Sequence, residues 1–459
     1  MTVVVSNRGP YRFEARSDGG FDARPGSGGV ASALGPLLTA GAAGTGAAWI
    51  AAAITEDDRA AVRSGAVPET DIALTMLDFD PVEFRRYYDV VSNGTLWFLH
   101  HGLFDLPRRP RFDHHFREAW DSYISVSQAF ADAAAAAAGD ADVVLVQDYQ
   151  LALVPGMLAN ARPDLRIVHF THTAFCGPNS IRVLPTATAV ALLSSMASVP
   201  CGFHAGRWAR SYEASAREIL GSGCELAPTF VAPLAPDATE LTDAAATPAA
   251  EAARAELDEL VGDRTMLLRV DRVEPSKNIV RGFAAYDQLL EHHAEWRGRV
   301  VFVARANPSR ESLAEYLGYR NEMEQAVERV NERWGTSDWQ PVVLDTSDDF
   351  VRTVAALTRY DVLLVNPIKD GLNLVAKEGP ILNRRDGVLC LSPDAGAWDE
   401  LGEAAIETHP YDLEQATAAL HTALTMPAAE RAPRAARLRD LASARTPQDW
   451  LADQLDAAR

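Results

Sequence analysis

Cysteine is scarce in this chain: Cys176, Cys201, Cys224 and Cys390 are the only four in 459 residues, with no Cys-x-x-Cys and no clustered Cys/His pattern. That speaks against a disulfide framework and against structural zinc. Basic residues are also in deficit, 43 Lys and Arg against 63 Asp and Glu, for a formal charge of −20. A nucleic-acid surface wants the opposite balance, so no nucleic-acid partner is expected, and any phosphate-bearing ligand must be gripped by a few local Arg and Lys residues. Apolar runs are short: the alanine stretch at 133–138 reads as helix, and no run reaches membrane-spanning length, so no membrane partner is expected. The opening Met-Thr-Val-Val-Val-Ser-Asn-Arg has neither a charged lead nor a long apolar segment. No signal peptide is read there, and the cytoplasm is the expected compartment. Acidic metal motifs, an obvious nucleophile–base pair and internal repeats are missing too.

What is present is ordinary globular material, 47% hydrophobic and 23% charged, in a length suited to two or three domains. The chain reads as organised around residues 361–378, Asp-Val-Leu-Leu-Val-Asn-Pro-Ile-Lys-Asp-Gly-Leu-Asn-Leu-Val-Ala-Lys-Glu. Residues 362–365 predict a buried parallel strand, and Pro367 ends its ladder pairing. Asp370-Gly371 predicts a tight turn with a positive φ, and Asn373 the N-cap of a helix running through Glu378. Strand, glycine turn and helix N-terminus together make an anion site. Asp370 and Glu378 add carboxylates, which accept well from the hydroxyls of a sugar or ribose.

The rest of the chain repeats that grammar. Residues 2–6 read as a first strand ending at Asn7-Arg8, and the glycine-rich loop Pro25-Gly26-Ser27-Gly28-Gly29 precedes a helix over 30–38. Residues 84–97 mix aromatics with polar groups, Tyr88 and Trp97 among them, as core packing or a sugar site would. Strands at 142–146 and 165–170 end in Gln147-Asp148-Tyr149-Gln150 and Thr171-His172-Thr173, where open α/β sheets place ligand contacts. The pair His114-His115 reads as a solvated face. Residues 233–247 read as a hinge. Beyond it a strand at 266–270 leads into Asp271-Arg272-Val273-Glu274-Pro275-Ser276-Lys277, which sets two cations on one strand-to-helix loop, suited to a diphosphate. A strand at 300–304 precedes Arg310, another follows at 388–391, and closing helices occupy the last thirty residues. Strands alternating with helices in both halves predict an α/β protein of two doubly wound Rossmann-like domains facing a central cleft. Residues 1–236 are expected to form the N-terminal, acceptor-binding domain and 237–440 the C-terminal, nucleotide-sugar-binding domain. The helical segment 441–459 is expected to pack back on the first.

With these residues in hand, the chain resembles the retaining GT-B glycosyltransferases of the trehalose-6-phosphate synthase family over nearly its whole length. The resemblance rests on Ser6-Asn7-Arg8 with Gly28-Gly29, on Tyr88 nine before Trp97, on Asp148-Tyr149, His172-Thr173, Arg272 with Lys277, and on the run from Asp370 to Glu378. It implies that Arg272 and Lys277 hold the donor's diphosphate, Glu378 its ribose, and Asp370 and His172 its sugar hydroxyls. Gly28, Gly29, Gly371, Leu372, Asn373, Leu374 and Val375 would complete the donor site. Arg8 and Arg310 would take the acceptor's phosphate with Tyr88 beside it, while Asp148 and Trp97 position the acceptor sugar. Asp148, His172, Arg272, Lys277 and Asp370 are the implied catalytic set.

The implied reaction is front-face substitution with retention, the departing phosphate oxygen taking the acceptor's proton, with no metal and no cofactor beyond the nucleotide sugar. Glucose would pass to glucose 6-phosphate, giving α,α-trehalose 6-phosphate. The similarity is greatest to an actinobacterial branch sharing Gln-Asp-Tyr, which implies GDP-glucose ahead of UDP-glucose. Two departures from the family pattern, Gln147 and Gln150 around Asp148-Tyr149 and the segment Thr173-Ala174-Phe175-Cys176, bear on the acceptor. Two other readings stay open. One is a natural-product relative coupling a nucleotide-linked sugar or cyclitol to another phosphorylated acceptor; the other is a catalytically silent sugar-phosphate-binding protein. Homo-oligomerisation is left open as well.

Overall fold

The structure, a computed structural model, describes residues 1–26, 29–39, 46–140 and 142–459, apart from the Ser32 side chain. It divides into two compact units, Met1–Pro233 with Pro447–Arg459, and Leu234–Thr446. The boundary expected after residue 236 thus falls between Pro233 and Leu234. Of the closing segment expected from 441, the part beginning at Pro447 belongs to the first unit. Much of the expected hinge is ordered as a helix, Ala238–Ala245. Asp237 caps it, its carboxylate accepting from the Thr239 and Glu240 N–H groups at 2.9 and 3.0 Å. A local cap on an alanine-bearing run is enough to nucleate a short helix where composition suggested open chain.

The first unit is built on a seven-stranded sheet. Its strands are β1 (Thr2–Val5), β4 (Ala47–Ala52), β5 (Ala73–Leu77), β6 (Val143–Gln147), β7 (Arg166–Thr171), β8 (Cys201–Phe203) and β9 (Thr229–Val231). A separate antiparallel hairpin joins β2 (Tyr11–Ala15) to β3 (Phe21–Pro25). The sheet order is β5-β4-β1-β6-β7-β8-β9, parallel throughout. Strand order therefore reverses between β1 and β6, as in doubly wound folds that carry helices on both faces. Burial on both faces explains the unbroken apolar run of β1, where Val3, Val4 and Val5 are fully buried.

The second unit repeats the plan with six parallel strands: β10 (Thr265–Arg272), β11 (Val300–Asn307), β12 (Val342–Asp345), β13 (Val362–Val365), β14 (Val388–Leu391) and β15 (Ile406–Glu407). Their order is β12-β11-β10-β13-β14-β15, so the reversal lies between β10 and β13. Its core runs from Leu267 and Phe302 on the sheet to Phe283, Tyr286 and Leu289 on the helix Ile279–His292.

Among the elements without a counterpart in the sequence expectations is a helical one. Residues Arg86–Trp97 form a π-helix, its wide turns marked by Ser92 Oγ donating to the Tyr87 carbonyl at 2.9 Å and Thr95 Oγ1 to the Val90 carbonyl at 2.8 Å. Gly94 fits because a Cβ there would lie 2.7 Å from the Asp89 carbonyl oxygen. Such turns recur at functional sites. Tyr88 and Trp97 both lie on this one.

Candidate active site

In open α/β sheets, ligands sit beyond the carboxyl ends of the strands where strand order reverses. Both units place the singled-out residues there. In the first, β1 and β6 run in register with Val5 beside Val146, so the turns carrying Arg8 and Asp148 leave the sheet side by side. Arg8 is exposed. Asp148 adopts φ 72° and ψ 170°, a backbone that non-glycine residues avoid and that concentrates at functional sites. Hydrogen bonds to neighbouring segments hold it there, among them its own N–H donating to the Phe170 carbonyl at 2.7 Å. The His172 backbone N–H donates to Asp148 Oδ1 at 3.0 Å, and His169 Nε2 lies 3.2 Å from the Asp148 carbonyl oxygen.

The His172 ring is engaged on both sides within this unit, with Nε2 2.9 Å from Gln147 Oε1 and Nδ1 3.1 Å from His204 Nε2. Burial, with His204 and His169 as neighbours, holds its pKa well below the usual range, so the ring is neutral at physiological pH. Of the aromatic pair, Tyr88 stacks on Phe84 with centroids 5.7 Å apart. Trp97 is buried against His101 and Phe98. Gly29 opens the helix Gly29–Thr39, whereas Gly28 lies outside the described residues.

In the second unit the loops after β10 and β13 face each other. Lys277 Nζ donates to Asp370 Oδ2 at 2.5 Å. Asp370 also accepts from Asn373 Nδ2 at 3.2 Å. Burial alone would lower the Lys277 pKa, but Asp370, Asp271 and Glu274 outweigh it and raise it, so the ammonium keeps its charge. The left-handed residue of the 370–373 turn is Asn373, at φ 79°, while Gly371 is not among the positive-φ glycines. That corrects the sequence expectation: Asn tolerates this region because its short side chain bonds locally. Here Asn373 Oδ1 accepts from the Ala376 N–H at 3.2 Å and so caps the helix Val375–Leu382 by side chain, although Leu374 is its formal cap residue. Gly371 and Leu372 are buried and Leu374 is half-buried beside Val375.

Glu378, in the first turn of that helix, has its pKa pushed up to about 7 by burial. Its neighbour Lys377 serves the fold instead, donating to the Leu234 carbonyl at 2.8 Å and pairing with Glu400 at 2.6 Å.

Several residues that hold this arrangement carried no signal in the sequence. Glu274, only 2% exposed at its side chain, pairs with Arg272 at 3.0 Å and lies 3.7 Å from Arg310, while Ser309 Oγ donates to it at 3.0 Å. Burial would raise its pKa, yet Arg272, Arg310 and Lys277 draw it down to about 2. Arg310, at φ 45°, thus stands beside Arg272 through one shared carboxylate. Arg269 is wholly buried and donates to Asp271 at 2.8 Å, to the Lys277 carbonyl at 2.9 Å and to Asn366, tying the two loops together. Gly396 passes so close to the 370–372 turn that a Cβ there would sit 1.9 Å from the Gly371 carbonyl oxygen. The contacts of Glu274 with Ser309 and Arg310, of Arg269 with Asn366 and of Gly396 with Gly371 join segments far apart in the chain, so spacing could not reveal them. Elsewhere in the unit, His293, Glu295 and His421 bring three metal-capable atoms within 4.8 Å of one another, with the two imidazoles stacked 3.7 Å apart. Among the described residues no helix is long and apolar enough to cross a membrane.

An exposed Arg272 and a half-buried Lys277 on one loop thus face a carboxylate turn and a capped helix at the switch point of a second doubly wound sheet, where strand ends and a helix N-terminus can hold an anion. The sequence profile described as Glycosyltransferase family 20 matches residues 1–459. This chain belongs to glycosyltransferase family 20. Among its curated relatives is a trehalose-6-phosphate synthase of Mycolicibacterium vanbaalenii, 32% identical over 480 residues that cover 99% of this chain and 95% of that protein. The alpha,alpha-trehalose-phosphate synthase [UDP-forming] A of Dictyostelium discoideum is 29% identical over 98% of this chain, which spans only 61% of that protein's length. Among solved structures, trehalose-6-phosphate from E. coli bound with UDP-2-fluoro glucose superimposes with a TM-score of 0.84 at 27% identity, covering 100% of this chain and 99% of that one. The fold is therefore GT-B, and the family member described here is a glycosyltransferase.

Proposed function

We propose that this protein transfers glucose, with retention, from a nucleoside-diphosphate glucose to glucose 6-phosphate, giving α,α-trehalose 6-phosphate. The observation that carries the reading is the pair of loops at the second switch point. Arg272 and Lys277 present cations where a departing diphosphate needs them, and Asp370 and Glu378 present acceptors for sugar and ribose hydroxyls. Asp370 pairs with Lys277. An arriving diphosphate takes over the ammonium and leaves the Asp370 carboxylate to accept from the donor sugar. Catalysis is then positioning plus electrostatic stabilisation of the leaving group, with the acceptor's proton passing to the departing phosphate oxygen. In this account Arg8 and Arg310 take the acceptor's phosphate, Tyr88 and Trp97 line its site, and Asp148 and His172 orient the sugars.

The donor is proposed as GDP-glucose, on the Gln147-Asp148-Tyr149 similarity to the branch named above. UDP-glucose is the rival, favoured by the Dictyostelium relative, which is named as UDP-forming. No metal takes part in this scheme, so EDTA should leave the rate unchanged. The test is a matrix of GDP-, UDP- and ADP-glucose against glucose 6-phosphate and free glucose, with product mass and nucleotide release recorded. A hexosyl-hexose phosphate from one donor supports the reading and settles the base. Donor binding without turnover on these acceptors sinks it and favours a natural-product acceptor.

A further inference from the structure

We propose that Gln454, on the terminal helix Pro447–Ala457, is a positioning residue that fixes the tautomers of His172 and His204 and through them the setting of Asp148. The observation is a chain of polar side chains buried in the first unit. Gln454 is fully buried and Gln147 1% exposed. Gln454 Nε2 donates to the Trp450 carbonyl of its own helix at 3.5 Å, and Gln147 Nε2 donates to Gln454 Oε1 at 3.0 Å. Gln147 Oε1 lies 2.9 Å from His172 Nε2, and His172 Nδ1 lies 3.1 Å from His204 Nε2. Trp450, from the same helix as Gln454, packs edge-on against the His172 ring at 5.6 Å.

Only one direction of hydrogen bonding satisfies this chain. An amide has donors on nitrogen and an acceptor on oxygen, and a backbone carbonyl only accepts. The Trp450 carbonyl therefore turns the Gln454 nitrogen toward it, leaving Gln454 Oε1 to face Gln147. That in turn presents Gln147 Oε1 to His172, so His172 must carry its proton on Nε2. Its Nδ1 lone pair then has to accept from His204, whose Nε2 must also be protonated. Reversing any link sets two oxygens or two N–H groups against each other in a buried place, where water cannot relieve the loss. A neutral His172 protonated on Nδ1 instead would break the chain in the same way, setting its Nε2 lone pair against Gln147 Oε1.

The consequence reaches Asp148 from two sides. Gln147 precedes it in the chain, and the His172 backbone N–H clamps its carboxylate at 3.0 Å. The residue so held has the disfavoured backbone of φ 72° and ψ 170°. A strained backbone persists only when its surroundings over-determine it. The terminal helix, distant in sequence, supplies part of that determination.

The test is the ring-nitrogen NMR spectrum of histidine-labelled protein, with His172 and His204 assigned by single substitution. It requires no substrate, whereas the kinetic arm rests on the proposed glycosyl transfer; the two can therefore fail separately. Wild type should show both rings as the neutral Nε2–H tautomer. Gln454→Leu, which removes donor and acceptor at similar volume, should turn His172 into a mixture of tautomers. It should also lower kcat about tenfold or more while donor KM moves less than about twofold. Gln454→Glu should keep the wild-type spectrum and rate, because a buried, protonated carboxyl can donate to Trp450 and accept from Gln147 as the amide does. If Gln454→Leu does not fold, Gln147→Leu reads out the same ring. An unchanged Nε2–H spectrum in a folded leucine variant overturns the proposal, as does a leucine variant of unchanged kcat.

Discussion

Glu378 shows how burial of a single carboxyl ties its proton to the stability of the fold. Its pKa of about 7 lies above the ordinary 4.5, so between those values the folded chain keeps a proton that the unfolded chain has released. Stability contributed at this site therefore falls as pH rises from 4.5 to 7. Glu378→Gln should remove the fall and make the ligand-free protein about 2 kcal/mol more stable above pH 7, less whatever solvent screening takes away. The same substitution should weaken donor binding about tenfold, because an ionised acceptor for hydroxyls is lost. Melting curves against pH and a donor titration check both halves. Arg272→Ala and Lys277→Ala should each cost about 2–4 kcal/mol of transition-state stabilisation, read from kcat/KM. Turnover within a few-fold of wild type would remove these cations from the diphosphate site. Both residues were legible in the sequence because strand, cationic loop and helix are contiguous. Glu274, Arg269 and Asn366 were not, because each acts by bonding across segments that only the fold brings together.

At the scale of elements, the site depends on turns clamped by other turns. The Asp370 N–H donates to the Asp394 carbonyl at 3.2 Å, and the Gly396 N–H to the Asp370 carbonyl at 3.1 Å. Gly396→Ala should push these two loops apart, since a Cβ has no room at 1.9 Å. The expected outcome is a loss of roughly 1–3 kcal/mol in stability and a larger proportional loss in donor affinity. Glu274→Gln should loosen Arg272 and Arg310 together, raising KM for donor and acceptor alike, whereas Arg310→Ala should act on the acceptor alone. The strands 362–365 and 388–391 were read from the sequence with the bounds they have, as β-branched and leucine runs in buried parallel strands usually permit. Strand β4, Ala-Ala-Trp-Ile-Ala-Ala, was not, because alanine favours helix and only its neighbours in the sheet make it extended. The π-helix escaped notice for a related reason: its wide turn matches neither the 3.6-residue nor the two-residue period that patterns reveal.

Across the whole molecule, two doubly wound sheets each place polar loops beside a reversal of strand order, which is why such loops were visible in both halves before any fold was known. The first unit holds Arg8, Asp148 and His172; the second holds Arg272, Lys277, Arg310, Asp370 and Glu378. The terminal helix joins the first unit although it follows the second in sequence, so the first unit is assembled from both ends of the chain. A discontinuous unit of this kind couples its folding to the segment it encloses. Chemical unfolding of the whole protein should therefore release Trp450 burial together with the rest of the first unit, in one fluorescence transition. The central claim concerns the reaction. Its most direct measurement is the NMR spectrum of the product made from nucleoside-diphosphate glucose labelled with 13C at the anomeric carbon, with glucose 6-phosphate as acceptor. The account predicts a single labelled anomeric signal of α configuration, linked to a second anomeric carbon, in a product that keeps its phosphate. A β-configured product, or free labelled glucose alone, would contradict it.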